Sequence, residues 1–147
     1  MKWLLDSNVL SEQVRLRPNE SVLNWVARRP SDLTAISLVT MAELRVGALA
    51  AGPRRQRELT QWIEGQVTAS FAGRILPVSH DILIDWLRLV RSTAAKGRTR
   101  APADLLIAAT ARVHSLIVVT RNTRDFTYTG VVVHDPWTDS THHMERP

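Results

Sequence analysis

Short apolar runs alternate with amphipathic stretches along the whole chain. Trp3-Leu4-Leu5, Leu33-Thr34-Ala35-Ile36-Ser37, Leu116-Ile117-Val118-Val119 and Val131-Val132-Val133 have strand length and strand composition. Arg74-Ile75-Leu76-Pro77-Val78 is a further strand or extended segment behind Gly73. Between these runs the apolar spacing turns helical. Val22, Leu23, Trp25 and Val26 give one face to a helix opened by Asn19 and Glu20 and broken at Pro30-Ser31-Asp32. Leu44, Val46, Ala48 and Leu49 belong to a helix that ends near Gly52-Pro53. Its start reads as a capping box, Thr40 with Glu43. Arg54, Arg55 and Arg57 open the next helix, which carries Leu59, Trp62, Ile63 and Val67. From Asp81 to Arg91, one face collects Ile82, Leu83, Trp86, Leu89 and Val90, and the other Asp81, Asp85 and Arg88. Ala101 to Ala111 is apolar nearly all round, so that helix is expected to be buried, with Pro102 at its first position.

Strands alternating with helices predict an α/β fold with a parallel sheet and right-handed crossovers. The 147 residues suffice for one core. Residues 1–137 read as one domain and 138–147 as a polar C-terminal tail that frays. Ser11 to Pro18 reads as a connection.

Composition narrows the chemistry. There is no cysteine, which excludes a disulfide framework and thiolate catalysis and fits a cytoplasmic location. No apolar run approaches the roughly 18 residues of a membrane span, and the N-terminal run is too short for a secretory signal. The net charge is +5, and of nineteen basic residues only Lys2 and Lys96 are lysine. An arginine-rich surface suits phosphate and other polyanions, although an arginine-favouring genome gives the same composition. Lys96-Gly97-Arg98-Thr99-Arg100 reads as a solvated basic loop.

Three acids stand out by position. Asp6 ends the first strand, and in an open α/β sheet ligands bind outside the carboxyl ends of the strands. Glu43 opens a helix after a strand. Asp104 is the lone charge on an apolar helix, costly to bury unless paired or metal-bound. A parallel sheet brings all three to one edge, with Asn122 and Asp125 beyond a later strand on the same edge. Clustered carboxylates raise one another's pKa, and a hard divalent cation relieves them. Oxygen-only ligation suits Mg²⁺, or Mn²⁺, with several waters retained. Zinc does not fit: cysteine is absent, His80, His114 and His134 are scattered, and His142-His143 lies in the tail. Such a cation acidifies a bound water and neutralises a phosphodiester, which suits hydrolysis to a 3′-hydroxyl and a 5′-phosphate.

The sequence resembles the PIN-domain ribonucleases, in particular the VapC-type toxins of bacterial toxin–antitoxin pairs and their FitB-like subgroup. The matching stretches are Leu4-Leu5-Asp6-Ser7-Asn8-Val9-Leu10-Ser11-Glu12, then Ile36-Ser37 through Met41-Ala42-Glu43-Leu44-Arg45-Val46-Gly47. Phe71-Ala72-Gly73-Arg74-Ile75-Leu76-Pro77, Ala103-Asp104 through Ala111, Thr120-Arg121-Asn122, Asp125-Phe126 and Asp135-Pro136-Trp137 follow. The resemblance implies a three-layer sandwich with a central parallel sheet of about five strands flanked by helices. It implies a Mg²⁺-dependent endoribonuclease with Asp6 and Asp104 as main metal ligands and Glu43 completing the triad, directly or through water. Ser7, Asn8 and Thr120 would support the site. Many relatives carry a fourth acid where Asn122 stands here, which puts a second metal in doubt; Asn122 and Asp125 are counted as supporting residues, and Asp125, three residues on, is expected to cap a turn, with substitution for the missing acid as the alternative. The resemblance further implies an RNA substrate, a cognate antitoxin covering the acidic pocket, a homodimer and larger toxin–antitoxin assemblies, with no membrane.

Trp25, Trp62 and the apolar face of the Val39–Ala51 helix are expected in the core, with partner contacts as the alternative. Two other functions compete. A receiver-like signalling domain would need a lysine near the acids, and Lys2 and Lys96 are badly placed for it. A non-catalytic nucleic-acid-binding module would need only the basic charge.

Overall fold

The apolar runs pair into one sheet. In a computed structural model that describes residues 1–147, β1 (Trp3–Leu5), β2 (Thr34–Ser37), β3 (Ile75–Leu76), β4 (Ile117–Val119) and β5 (Val132–Asp135) are all parallel. Their order is β3-β2-β1-β4-β5. The helices are α1 (Ser7–Ser11), α2 (Glu20–Ala27), α3 (Leu38–Leu49), α4 (Pro53–Trp62), α5 (Thr68–Ser70), α6 (His80–Ala95) and α7 (Pro102–His114). A wide π turn, Ile63–Val67, joins α4 to α5.

Four expectations need correction. The tail does not fray: Ser140–His143 forms β6, antiparallel to β5, and the Met144 amide donates to the Val131 carbonyl at 2.9 Å. His134 Nδ1 and Thr141 Oγ1, 2.9 Å apart, tie the two strands further. Polar residues suffice here because an edge strand has solvent on its far side. Second, Ser11–Pro18 is not all connection, since α1 runs into a 3-10 turn at Glu12–Val14. Glu12 is buried there, accepting from the Asn19 amide at 2.8 Å and pairing with Arg15. Third, Thr40 and Glu43 make no capping box. β2 enters α3 without a loop, so Ser37 is the cap, its Oγ accepting from the Val39 amide at 3.1 Å. Thr40 lies buried in the first turn. Fourth, the apolar faces of α3 and α6 are only partly covered: Val46, Leu49, Leu83 and Val90 are exposed.

The two faces of the sheet carry separate cores. Leu4, Ala35, Val118 and Val133 pack with α6 and α7 on one side, and α7 is buried as its composition predicts. Leu5, Ile36 and Val119 pack on the other side with residues of α1, α2, α3 and α4. Trp25 and Trp62 belong to this second core. The α2 cap is the expected one, Asn19 Oδ1 accepting from the Val22 amide at 3.3 Å. Trp25 meets Trp3 edge-on at 5.1 Å and stacks on His134 at 5.1 Å, with the Arg29 guanidinium 4.2 Å from its ring. No helix is long and apolar enough to cross a membrane.

Trp25 holds α2 against two strands at once, β1 through Trp3 and β5 through His134, so its loss leaves a cavity rather than a collapsible gap. Trp25→Ala is expected to lower unfolding free energy by about 3–5 kcal/mol. Urea denaturation measures this, and a loss near zero would place Trp25 outside the core.

Candidate functional site

Parallel pairing of β1 with β4 sets the centre of the site. Leu5 lies opposite Val119, so the next residues, Asp6 and Thr120, emerge side by side at the carboxyl edge. Both are buried. Asp6 is also the cap of α1: its Oδ1 accepts from the Ser7 amide at 2.8 Å, while Oδ2 accepts from Thr120 Oγ1 at 2.8 Å. Ser7 therefore supports the site through its backbone, not its hydroxyl. Thr120 Oγ1 accepts in turn from Asn8 Nδ2 and from the Asn122 amide, each at 3.1 Å. Asn8 Oδ1 takes the Arg121 amide at 3.3 Å. One hydroxyl thus joins the ends of β1 and β4, the first turn of α1 and the turn after β4.

The other acids arrive from helices. Glu43 is half-buried in the second turn of α3, and Asp104 is half-buried in the first turn of α7. Burial raises the Asp6 carboxyl, the Thr120 and Ser7 hydrogen bonds counter it, and the Asp125 charge adds to the rise. Burial first, then the charges of Asp6 and Asp104, pushes Glu43 up to about 7. Asp104 is pushed up to about 6 by burial and by Asp125 and Asp6, against the pull of Arg100. Asp6, Glu43, Asp104 and Asp125 are therefore one electrostatic cluster. No three acidic or histidine side chains close on one point tightly enough to grip an ion directly.

Three residues differ from expectation. The Asp125 carboxylate caps nothing: the 3-10 turn Thr123–Phe126 has no side-chain cap, and Asp125 instead presses on Asp6 and Asp104. Asn122 is exposed, and it is its backbone amide that reaches Thr120. Arg100, which reads from sequence as part of a solvated loop, is partly buried beside Asp104. The available signal was its place four residues before the acid. Neither lysine joins the cluster: Lys2 precedes β1 at the opposite edge, its Nζ 4.8 Å from the Trp3 ring centre, and Lys96 Nζ lies over Tyr128, 5.2 Å from its ring centre. The receiver-like alternative loses its required cation.

A three-layer α/β domain with repelling carboxylates on the carboxyl edge of its sheet is a fold class built to attract positive charge there. The chain belongs to the PIN-domain family: the family model for the PIN domain matches residues 3–131. It is 39% identical over 137 residues to the toxin FitB of Neisseria gonorrhoeae, covering 92% of this chain and 99% of that one. It is 35% identical over 135 residues to VapC ribonuclease Y4jK of Sinorhizobium fredii, covering 91% and 96%. The crystal structure of FitAcB from Neisseria gonorrhoeae aligns with a TM-score of 0.85 at 37% identity, over 92% of this chain and 98% of that one.

The raised acids make stability fall with pH in the metal-free protein. Between the ordinary values, 4.5 for Glu43 and 3.8 for Asp104, and the folded values of about 7 and about 6, the folded chain retains protons the unfolded chain has released. Stability is therefore lost as pH rises through that window. Denaturation across pH should show Glu43→Gln flattening this decline, and identical slopes would remove Glu43 from the cluster. Thr120→Val leaves two amide donors without an acceptor and is expected to cost about 1–3 kcal/mol. The same titrations measure it, and an unchanged midpoint would mean the hydroxyl is dispensable.

Proposed function

We propose that this chain is a Mg²⁺-dependent endoribonuclease, the toxin of a type II toxin–antitoxin pair, acting in the cytoplasm. The observation that carries the reading is the buried cluster of Asp6, Glu43, Asp104 and Asp125, in a chain related to proteins named toxin FitB and VapC ribonuclease.

The residues fit a hard divalent cation. Glu43 Oε1 is buried with no hydrogen-bond partner, and the donors are all oxygen. Mg²⁺ keeps several waters and takes one or two carboxylates, so ligation partly through water suits acids that do not converge on one point. Asp6, Glu43 and Asp104 would hold it, with Mn²⁺ as a substitute. Bound there, it would supply an acidified water and neutralise a phosphodiester. The chain's own groups do the positioning. Ser7 and Thr120 fix both oxygens of Asp6, and Asn8 fixes Thr120. Arg100 offsets part of the negative charge that would otherwise repel RNA. Asp125 deepens the charge where Asn122 adds none.

The partner follows from the same charge. The named relatives include FitAcB, and a cognate antitoxin with a basic side chain would neutralise these acids. A groove beside Glu43, bounded by Ser7, Val14, Leu44 and Leu59, would receive its chain. The exposed Leu38, Val46 and Leu49 of α3 offer an apolar face for a homodimer within a larger toxin–antitoxin assembly.

Asp104→Asn and Glu43→Gln should each reduce RNA cleavage about a hundredfold or more with the fold intact. EDTA should abolish cleavage and added Mg²⁺ restore it. Full activity in the variants, or with EDTA, would reject the reading. Calorimetry on Asp6→Asn should show weakened Mg²⁺ binding.

A further inference from the structure

A second cleft lies beside the acids, and its chemistry is the opposite of theirs. It has a volume of about 310 Å³ and lies between α6 and residues 98–102, lined by Trp86, Leu87, Val90, Arg98, Arg100 and Pro102 among others. Trp86 is partly exposed, and its Nε1 donates to the Pro102 carbonyl at 3.1 Å. That bond fixes the indole against the first turn of α7, two residues before Asp104. Leu87 is 55% and Val90 37% exposed, so the apolar floor is open to solvent.

Charge is sorted around this cleft. No carboxylate lines it. The α6 acid Asp85 is turned away into a salt bridge with Arg112 at 2.7 Å. The cations of the preceding loop form a series: Lys96 and Arg98 lie over the Tyr128 ring at 5.2 and 5.0 Å, and Arg100 lies within reach of Asp104's charge. Arg100 Nε is buried with no hydrogen-bond partner. Cations following a path, beside an aromatic ring over an apolar floor, are what single-stranded nucleic acid requires: charge for the backbone and a stacking face for a base. An arginine with unused donors suits phosphate through its planar fork.

We propose that this cleft docks one nucleotide flanking the scissile phosphate of single-stranded RNA, with Trp86 stacking on its base and Arg98 and Arg100 holding its phosphates. The inference rests on reading the acidic cluster as a ribonuclease centre. It adds a binding subsite on the α6–α7 side and names the residues that set its preference for an unpaired base.

The test uses the full chain in two assays with one probe, a short fluorescein-labelled single-stranded RNA of mixed sequence. Binding is read by anisotropy in the Glu43→Gln background, and cleavage by KM and kcat in the Mg²⁺-loaded enzyme. Trp86→Leu should weaken binding and raise KM about tenfold, the usual scale for losing one base stack, with kcat nearly unchanged. Trp86→Phe should recover most of the loss, and Arg98→Ala should weaken binding and flatten its salt dependence. Circular dichroism and light scattering accompany each variant. Cleavage and binding indifferent to Trp86 and Arg98 would overturn the subsite while leaving the nuclease reading standing. Binding that depends on Trp86 without any cleavage by the wild type would uphold the subsite and reject the nuclease. If Trp86→Leu splits a dimer while Arg98→Ala leaves RNA binding unchanged, the face belongs to a second copy of the chain and the proposal fails.

Discussion

A carboxylate buried where two neighbouring parallel strands end is the constraint on which the site depends. Asp6 has to stay ionisable in a place that water barely reaches, and it does so because two donors point at it. Both donors follow from the backbone. The Ser7 amide is free because α1 starts there, and the Thr120 hydroxyl is adjacent because β4 pairs with β1 in a register that brings them level. Thr120 has no spare capacity: it donates once and accepts twice. Moving β4 by one residue would turn that side chain to the other face of the sheet and leave Asp6 buried with half its partners. The register of the central strand pair and the ionisation of the site are thus one requirement.

How much of this was legible in the sequence depended on whether a local pattern had one meaning. The α7 segment did: apolar nearly all round, with Pro102 at the first position and Asp104 as its one acid, it could only be a buried helix facing a charge problem, and it is. The three acids could be assigned to one edge from their places at a strand end and at helix starts in a parallel sheet. The pattern Thr40–Glu43 had two meanings, because a capping box and an ordinary helical turn share the same spacing. Ser37 took the cap since β2 leaves no room for a loop. Polar composition misled at the C-terminus, where β6 needs no apolar face to add to an edge. The roles of Asp125 and Arg100 were illegible for a different reason. Each depends on how a short irregular segment turns in space, and no periodicity encodes that.

The two helical layers divide the labour. On one side α7 is buried between the sheet and α6, so its first turn cannot drift, and Asp104 inherits that rigidity. On the other side α3 buries Thr40, Met41, Leu44 and Ala48 but leaves Val46 and Leu49 exposed. Glu43 is therefore carried by a helix that is anchored along one stripe and free along another. A partner on the free stripe would lie within a few turns of the site. The rigid layer supplies the position of one acid, and the half-covered layer offers surface for contact with others.

The cluster is best understood as a deficit of positive charge that several species can fill. Glu43 is pushed up to about 7 because burial withholds water and, after that, Asp6 and Asp104 repel its ionised form. On the proposed function, a proton, a divalent cation and a partner's basic side chain would therefore compete for the same place near pH 7. A cation that wins must release protons, so its affinity is tied to pH. A basic residue from an antitoxin would win by the same electrostatics, without reproducing the cation's chemistry. Inhibition and activation then need no separate machinery on this reading. Arg100 is the one cation the chain itself supplies, and it relieves Asp104 only in part. Partial relief leaves negative charge in the cluster that, on the proposed function, a bound cation or a partner's basic side chain would meet.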